Sequence, residues 1–150
     1  MADTYTQLYF HIVFAVKSRA RLIEKSWKDD LNKYITGIIS NKSQKLMIIN
    51  GMPDHVHMLI STKPDCNVSD LVRDIKSNST KWINKTGLMK SKFAWQNGFG
   101  AFTVSQSQLN KVIRYIENQE QHHSSKSFKE EYVDFLKAYQ IDYDEEYIFE

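Results

Sequence analysis

Residues 45–61 read KLMIINGMPDHVHMLIS: two short β-prone runs, 45–49 and 55–61, separated by Asn50-Gly51-Met52-Pro53-Asp54. Asn-Gly and Pro-Asp pairs favour the backbone angles of tight turns, so the stretch is predicted to be a β-hairpin. In its second run, a period of two puts His55 and His57 on one face and Val56 and Met58 on the other. Upstream, residues 6–16 (TQLYFHIVFAV) are rich in β-branched and aromatic side chains and read as a first strand, followed by a basic exit loop with Lys17, Arg19 and Arg21. From residue 23 to about 40, Ile23, Trp27, Leu31, Tyr34, Ile35, Ile38 and Ile39 recur at spacings of three and four, which predicts an amphipathic helix. Downstream, Val68, Leu71, Val72, Ile75, Ser79 and Trp82 line one face of a second helix over 68–84, and residues 99–104 (FGAFTV) form a candidate fourth strand.

Strand, helix, strand, strand, helix, strand is the order of an α+β, ferredoxin-like (RRM-like) fold, an antiparallel sheet covered by two helices. Two helices are expected to be added at the C-terminal end. The first, from about 106 to 121, opens on Ser105-x-x-Gln108, a capping-box pattern, and buries Leu109, Val112, Ile113 and Ile116. The second, over 127–139, carries Phe128, Tyr132, Phe135 and Leu136 at helical spacing.

A chain of 150 residues, 41% hydrophobic and 13% aromatic, suits one domain with a substantial core, so residues 1–150 are expected to form a single domain. The net charge of +2 allows a local basic patch but excludes a generally polycationic nucleic-acid binder. The lone Cys66 excludes an internal disulfide and a cysteine-based zinc site and fits a reducing cytoplasm. The most apolar stretch, 8–16, is interrupted by His11 and is too short to cross a bilayer, and the first residues lack the pattern of a secretory signal. A cytoplasmic protein with no membrane partner is expected.

Two features carry chemistry. His55 and His57, side by side on a strand, can be two ligands of one metal or simply a hydrogen-bonded pair. Tyr115 and Gln119 are four apart on the predicted third helix and project from one face. A phenol with a pKa of about 10 is a weak nucleophile unless a metal polarises its target, and Gln119 can supply a third ligand through its amide oxygen. Taken alone, Tyr115 fits better an amphipathic helix residue with its hydroxyl at the surface.

Together these features resemble a family, the single-strand tyrosine transposases of the insertion sequence 200/605 type, named for a His-hydrophobic-His motif. The likeness runs along almost the whole chain through YTQLYFHIVFAVKSR, NGMPDHVHMLI, WQNGFGAFTVS, YIENQEQHH and SFKEEYVDFL. It implies metal-binding histidines at His55 and His57, a nucleophile at Tyr115 and a third ligand at Gln119, with hydrophobic Val56 inside the motif. The activity implied is cleavage and rejoining of single-stranded DNA through a 5′-phosphotyrosine intermediate, without ATP and with Mg2+ or Mn2+. Two imidazoles favour transition ions over Mg2+, which makes Mn2+ the ion that satisfies both arguments.

The resemblance also implies a homodimer whose active sites can be completed in trans, and DNA ends recognised as hairpins. Lys17, Arg19 and Arg21 after the first strand and Arg73, Lys76 and Lys81 on the second helix are candidates for phosphate contact. His11 reads as a core histidine, His122 and His123 as residues of a helix C-terminus, and Trp82, Trp95 and Phe99 as core aromatics rather than base-stacking platforms. The competing readings are a hairpin DNA- or RNA-binding module that does not cut, a replication-type nickase, and a small metallohydrolase for which Asp54 is the nearby carboxylate.

Overall fold

The computed structural model describes residues 3–122 and 126–144; His123 and the side chain of His122 lie outside the described residues. Four strands, β1 (Leu8–Ala15), β2 (Lys45–Met52), β3 (His55–Thr62) and β4 (Gly100–Val104), form one sheet in the order β2-β3-β1-β4 with every neighbouring pair antiparallel. Helices α1 (Lys25–Asn41) and α2 (Val68–Thr86) complete the ferredoxin-like βαββαβ unit.

One sheet face is fully apolar. Ile12, Phe14 and Val16 from β1 and Val56, Met58 and Ile60 from β3 alternate onto it and meet Leu31, Ile35 and Ile39 of α1 and Leu71, Val72 and Ile75 of α2. Each such side chain, fully buried, stabilises the fold by about 1.5–3 kcal/mol, and this layer makes the sheet a fixed platform for its other face.

The opposite face is covered by the chain beyond β4. A 3-10 turn at Gln106–Gln108 leads into α3 (Leu109–Glu117), then the single turn α4 (Gln119–His122), and finally α5 (Phe128–Ala138). Two separate apolar clusters fix them: Leu109 and Ile116 pack on Leu59 and Val104, while Phe128, Tyr132 and Leu136 pack on Val13, Ala15 and Phe102. Gly100 sets how closely α5 approaches, because a Cβ there would stand 2.9 Å from Cε1 of Tyr132.

Three local expectations are corrected. The hairpin turn is only Pro53-Asp54, since Asn50, Gly51 and Met52 continue β2 opposite His57, Val56 and His55. Gly51 is required there by close approach: a Cβ would lie 2.2 Å from the carbonyl oxygen of His55. The helix expected over 106–121 is interrupted at Asn118 (φ −98°, ψ 29°), because Asn50 Nδ2 donates to the carbonyls of Ile116 (2.9 Å) and Glu117 (3.2 Å) that would otherwise continue the helical ladder. The capping box forms at α5, between Ser127 and Glu130, whereas the Ser105 side chain makes no cap and meets Ser107 instead.

Candidate active site

The alternation of β3 delivers His55 and His57 to the sheet face opposite the apolar layer, where both are buried. Their imidazole planes stand at 80°, with centroids 5.1 Å apart. Asp54, in the turn, holds His55 from behind at 2.7 Å from Nδ1. That turn is itself pinned to the end of β1 and the loop after it, through Val16 N–H to the Asp54 carbonyl (2.8 Å) and Ile23 N–H to the Pro53 carbonyl (3.0 Å). Burial alone would raise the Asp54 carboxyl, but the hydrogen bond and charge of His55, helped by Arg21, lower it below the ordinary value.

His57 is held from behind by His11 of β1, with His11 Nε2 2.8 Å from His57 Nδ1. The expectation of a satisfied core histidine is met: His11 is 2% exposed, and burial first, then the neighbouring His57, lower its pKa to about 3. A neutral imidazole can donate or accept across this bond, so His57 Nδ1 keeps a partner whichever nitrogen carries its proton. This arrangement, a polar group behind each ring, is how proteins fix metal-ligating histidines.

On the open side of the rings stand Gln119, Tyr115 and Glu131. Gln119 is fully buried; its Nε2 donates to the Tyr115 carbonyl at 3.3 Å, which turns its Oε1 toward His55 Nε2 at 3.2 Å. The interruption at Asn118 therefore does not separate the pair expected on one helical face. Tyr115 lies with its ring centroid 5.7 Å from that of His57, and its hydroxyl donates to Glu131 Oε2. Burial, and then the charge of Glu131, push the phenol above its ordinary value, so it rests protonated.

Glu131, on α5 and 2% exposed, is the member of this cluster that the sequence reading missed. Its Oε1 lies 2.9 Å from His57 Nε2 and 3.5 Å from His55 Nε2. Its signal was present: position 131 falls within the stripe of Phe128, Tyr132, Phe135 and Leu136, where an acid is out of place unless it has a partner.

The donor set fits a cation. The Asp54 carboxylate accepts from His55 Nδ1, which leaves Nε2 of the same ring facing two oxygens, Gln119 Oε1 and Glu131 Oε1. An imidazole nitrogen and two oxygens converging in a buried space are a donor set of the kind that holds a metal ion. Ligand atoms of His55, His57 and Glu131 all lie within 4.8 Å of one another, a spacing one ion can bridge.

The basic candidates fall elsewhere. Lys17, Arg19 and Arg21 are exposed in the segment after β1, and the Lys17 N–H bonds to the Ala94 carbonyl (3.0 Å). Arg73, Lys76 and Lys81 border a cavity of about 590 Å³ between α2 and the 94–99 segment. Arg73 also pairs with Asp70 at 3.1 Å. Lys76 is half-buried and donates to the carbonyls of Gln96 (2.9 Å) and Gly98, which makes it a brace for the cavity wall. Trp82 stacks on Tyr34 and Trp95 Nε1 donates to Ser79 Oγ, as expected of core aromatics, while half-buried Phe99 lines the cavity.

A fold of this topology, with paired histidines on a central strand and a tyrosine beside them, leads to one family. The family model described as "Transposase IS200 like" matches residues 4–119, and the chain belongs to that family. Its class is therefore that of DNA-cleaving and rejoining enzymes. Among curated relatives it is 26% identical over 118 residues to the ISDra2 transposase TnpA of Deinococcus radiodurans, covering 75% of this chain and 84% of the relative. It is 25% identical over 124 residues to the transposase for insertion sequence element IS200 of Salmonella typhimurium, covering 79% and 81%.

Two solved structures share the fold. One, described as a transposase from Deinococcus radiodurans R1, superposes with a TM-score of 0.65 at 24% identity and covers 79% of this chain and 95% of that one. The other is a REP-associated tyrosine transposase bound to a REP hairpin, with a TM-score of 0.63 at 16% identity, covering 82% and 73%.

The position of α3, and with it Tyr115, depends on the Asn50 side chain. Asn50→Ala is expected to lower stability by about 1 kcal/mol in urea unfolding, the worth of a typical hydrogen bond, and to speed amide exchange at the α3–α4 junction selectively. Exchange unchanged at that junction would show that Asn50 does not hold it.

Proposed function

We propose that this chain, as one catalytic domain, cuts and rejoins single-stranded DNA at insertion-sequence ends, with Tyr115 as nucleophile and His55, His57 and Gln119 holding a divalent ion. The observation that carries the reading is the buried cluster of His55, His57 and Glu131, whose ligand atoms lie within 4.8 Å of one another, with Gln119 Oε1 3.2 Å from His55 Nε2 and the Tyr115 ring beside His57, in a member of a transposase family. A divalent ion so held would supply Lewis-acid polarisation of the scissile phosphate. The oxygens of Gln119 and Glu131 beside two imidazoles make Mn2+ or Mg2+ the ion, with Mn2+ the better match to a mixed nitrogen and oxygen set.

Tyr115 Oη forms an ester to the 5′-phosphate as the 3′-oxygen leaves. Rejoining is the attack of a 3′-hydroxyl on that ester, which releases the phenol. Each step exchanges one phosphate ester for another, so no nucleotide hydrolysis is required. Asp54 and His11 orient the rings, and the aromatic wall of Phe128, stacked on His55 at 4.2 Å between centroids, limits water on one side.

We extend the reading to DNA ends folded as hairpins, on the strength of the hairpin-bound neighbour of the same fold. Lys17, Arg19, Arg21, Arg73 and Lys81 are the phosphate contacts in this reading, and Lys76 shapes the cavity between them. The reading includes a cytoplasmic location; among the described residues no helix is long and apolar enough to cross a membrane.

Purified protein incubated with labelled single strands from the flanks of its own gene, with Mn2+ or Mg2+, is expected to form a DNA adduct that survives denaturation. Chelation of the metal and Tyr115→Phe should each abolish the adduct, and His57→Ala should weaken Mn2+ binding at least about 10-fold. Hairpin binding by wild type without any adduct would replace this reading with that of a non-cutting module.

The family likeness implies a homodimer, and the proximity of Tyr115 to His57 of its own chain supports a site assembled in cis within each protomer. Mixing Tyr115→Phe with His57→Ala tests this. The mixture is expected to stay inactive, and recovery of adduct would mean that the helix of one chain completes the site of the other.

A further inference from the structure

We infer that the cavity between α2 and residues 94–99 takes one unpaired nucleobase of the bound strand, with Phe99 as its stacking surface. The inference rests on the reading above that the chain acts on single-stranded DNA. The cavity measures about 590 Å³, the size of a small-ligand site. Among the described residues its lining holds three cations, Arg73, Lys76 and Lys81, and no carboxylate. Apolar surface from Val72, Trp95 and Phe99 with these cations around it suits a planar base carried on a phosphate chain.

Phe99 differs from the other aromatics nearby. Trp95 meets Phe14 and Phe93 edge-on and Trp82 stacks on Tyr34, so both are engaged with protein rings. Phe99 is half-buried and has no ring partner among the described residues; the Lys76 ammonium stands 6.0 Å from its centroid. Lys76 Nζ carries three N–H groups, and the carbonyls of Gln96 and Gly98 take two of them. The third is left for an acceptor, and a base stacked on Phe99 offers one along its edge as a ring nitrogen or a carbonyl oxygen. Arg73 and Lys81, both exposed on α2, then meet the phosphates on either side of that base.

The cavity wall is tied to the same two β1 residues as the histidines. Ala15 pairs with His55 on one side, and on the other its carbonyl accepts the Gln96 N–H at 2.9 Å. Val13 pairs likewise with His57 and with Gly100. Two strand spacings, about 10 Å, therefore separate the backbone of each histidine from the wall. The turn Lys17–Arg19 joins the wall through the Lys17 N–H and the Ala94 carbonyl (3.0 Å), which puts basic residues beside this route. The histidines and α2 lie on opposite faces, so the strand turns around this end of the sheet and the base that enters is a few nucleotides from the scissile phosphate.

The test replaces each base of a labelled single strand from the flank of its own gene, one position at a time, with an abasic site. Affinity is read by fluorescence anisotropy with the full chain and a chelator, which keeps the strand uncut. Wild type should lose about 5–150-fold at one position near the cleavage phosphate, the range of one base–aromatic stack. Phe99→Leu keeps apolar volume but removes the stacking face; it should lose as much on the intact strand and nothing further at that abasic position. Phe99→Tyr should bind as wild type does. The fluorescent base 2-aminopurine at that position should dim on binding wild type and stay bright with Phe99→Leu, and the wild-type half of this measurement needs no variant to fold.

An abasic penalty that survives in Phe99→Leu overturns the inference, as does the lack of any position at which removing the base matters. If wild type binds no single strand, the single-strand reading fails and takes this inference with it. If wild type binds and only the coupling between Phe99 and one base is missing, the inference alone fails.

Discussion

The hydrogen bonds of one buried carboxylate tie together the parts of the molecule that matter for function. Glu131 reaches from α5 to His57 and His55 on β3 and to Tyr115 on α3. Leaving such a group without its partners costs about 3–5 kcal/mol, which is comparable with the net stability of a small domain. The second sheet face is therefore ordered by polar geometry as much as by apolar packing.

The two faces divide the labour. The layer formed with α1 and α2 is continuous and apolar, and nothing in it is titratable except at its margins. The other face splits its apolar contacts into two clusters, one under α3 and one under α5, with the histidines in the gap between them. That gap is polar because its histidines are backed by Asp54 and His11 and faced by Gln119 and Glu131, so each buried nitrogen has a partner. Rigid strands supply the histidines and helix termini supply the rest, an arrangement that holds the rings fixed.

Much of this was legible in the sequence, because alternation and helical spacing are local. The period of two in β3 alone put His55 and His57 on one face, and the stripes of α1, α2 and α5 came from their apolar spacing. The misreadings share a cause in distant contacts. Asn50-Gly51 has turn chemistry, yet Asn50 is taken into β2 and spends its amide on carbonyls 66 and 67 positions away, which also breaks the third helix where no Gly or Pro marks it. His11 read correctly as a core histidine, but nothing local announced that its partner would be His57. Glu131 was hidden among the charged neighbours Lys129, Glu130 and Asp134 of a surface-like helix start, although its place in the apolar stripe was a usable sign.

The most direct test of the central claim is to locate the covalent bond. After nuclease trimming and tryptic digestion of the protein–DNA complex, mass spectrometry is predicted to find a nucleotide remnant, joined through its 5′-phosphate, on the peptide that begins at Tyr115 and ends at Lys126. A remnant on any other tyrosine or on a serine, with that peptide unmodified, would contradict the account.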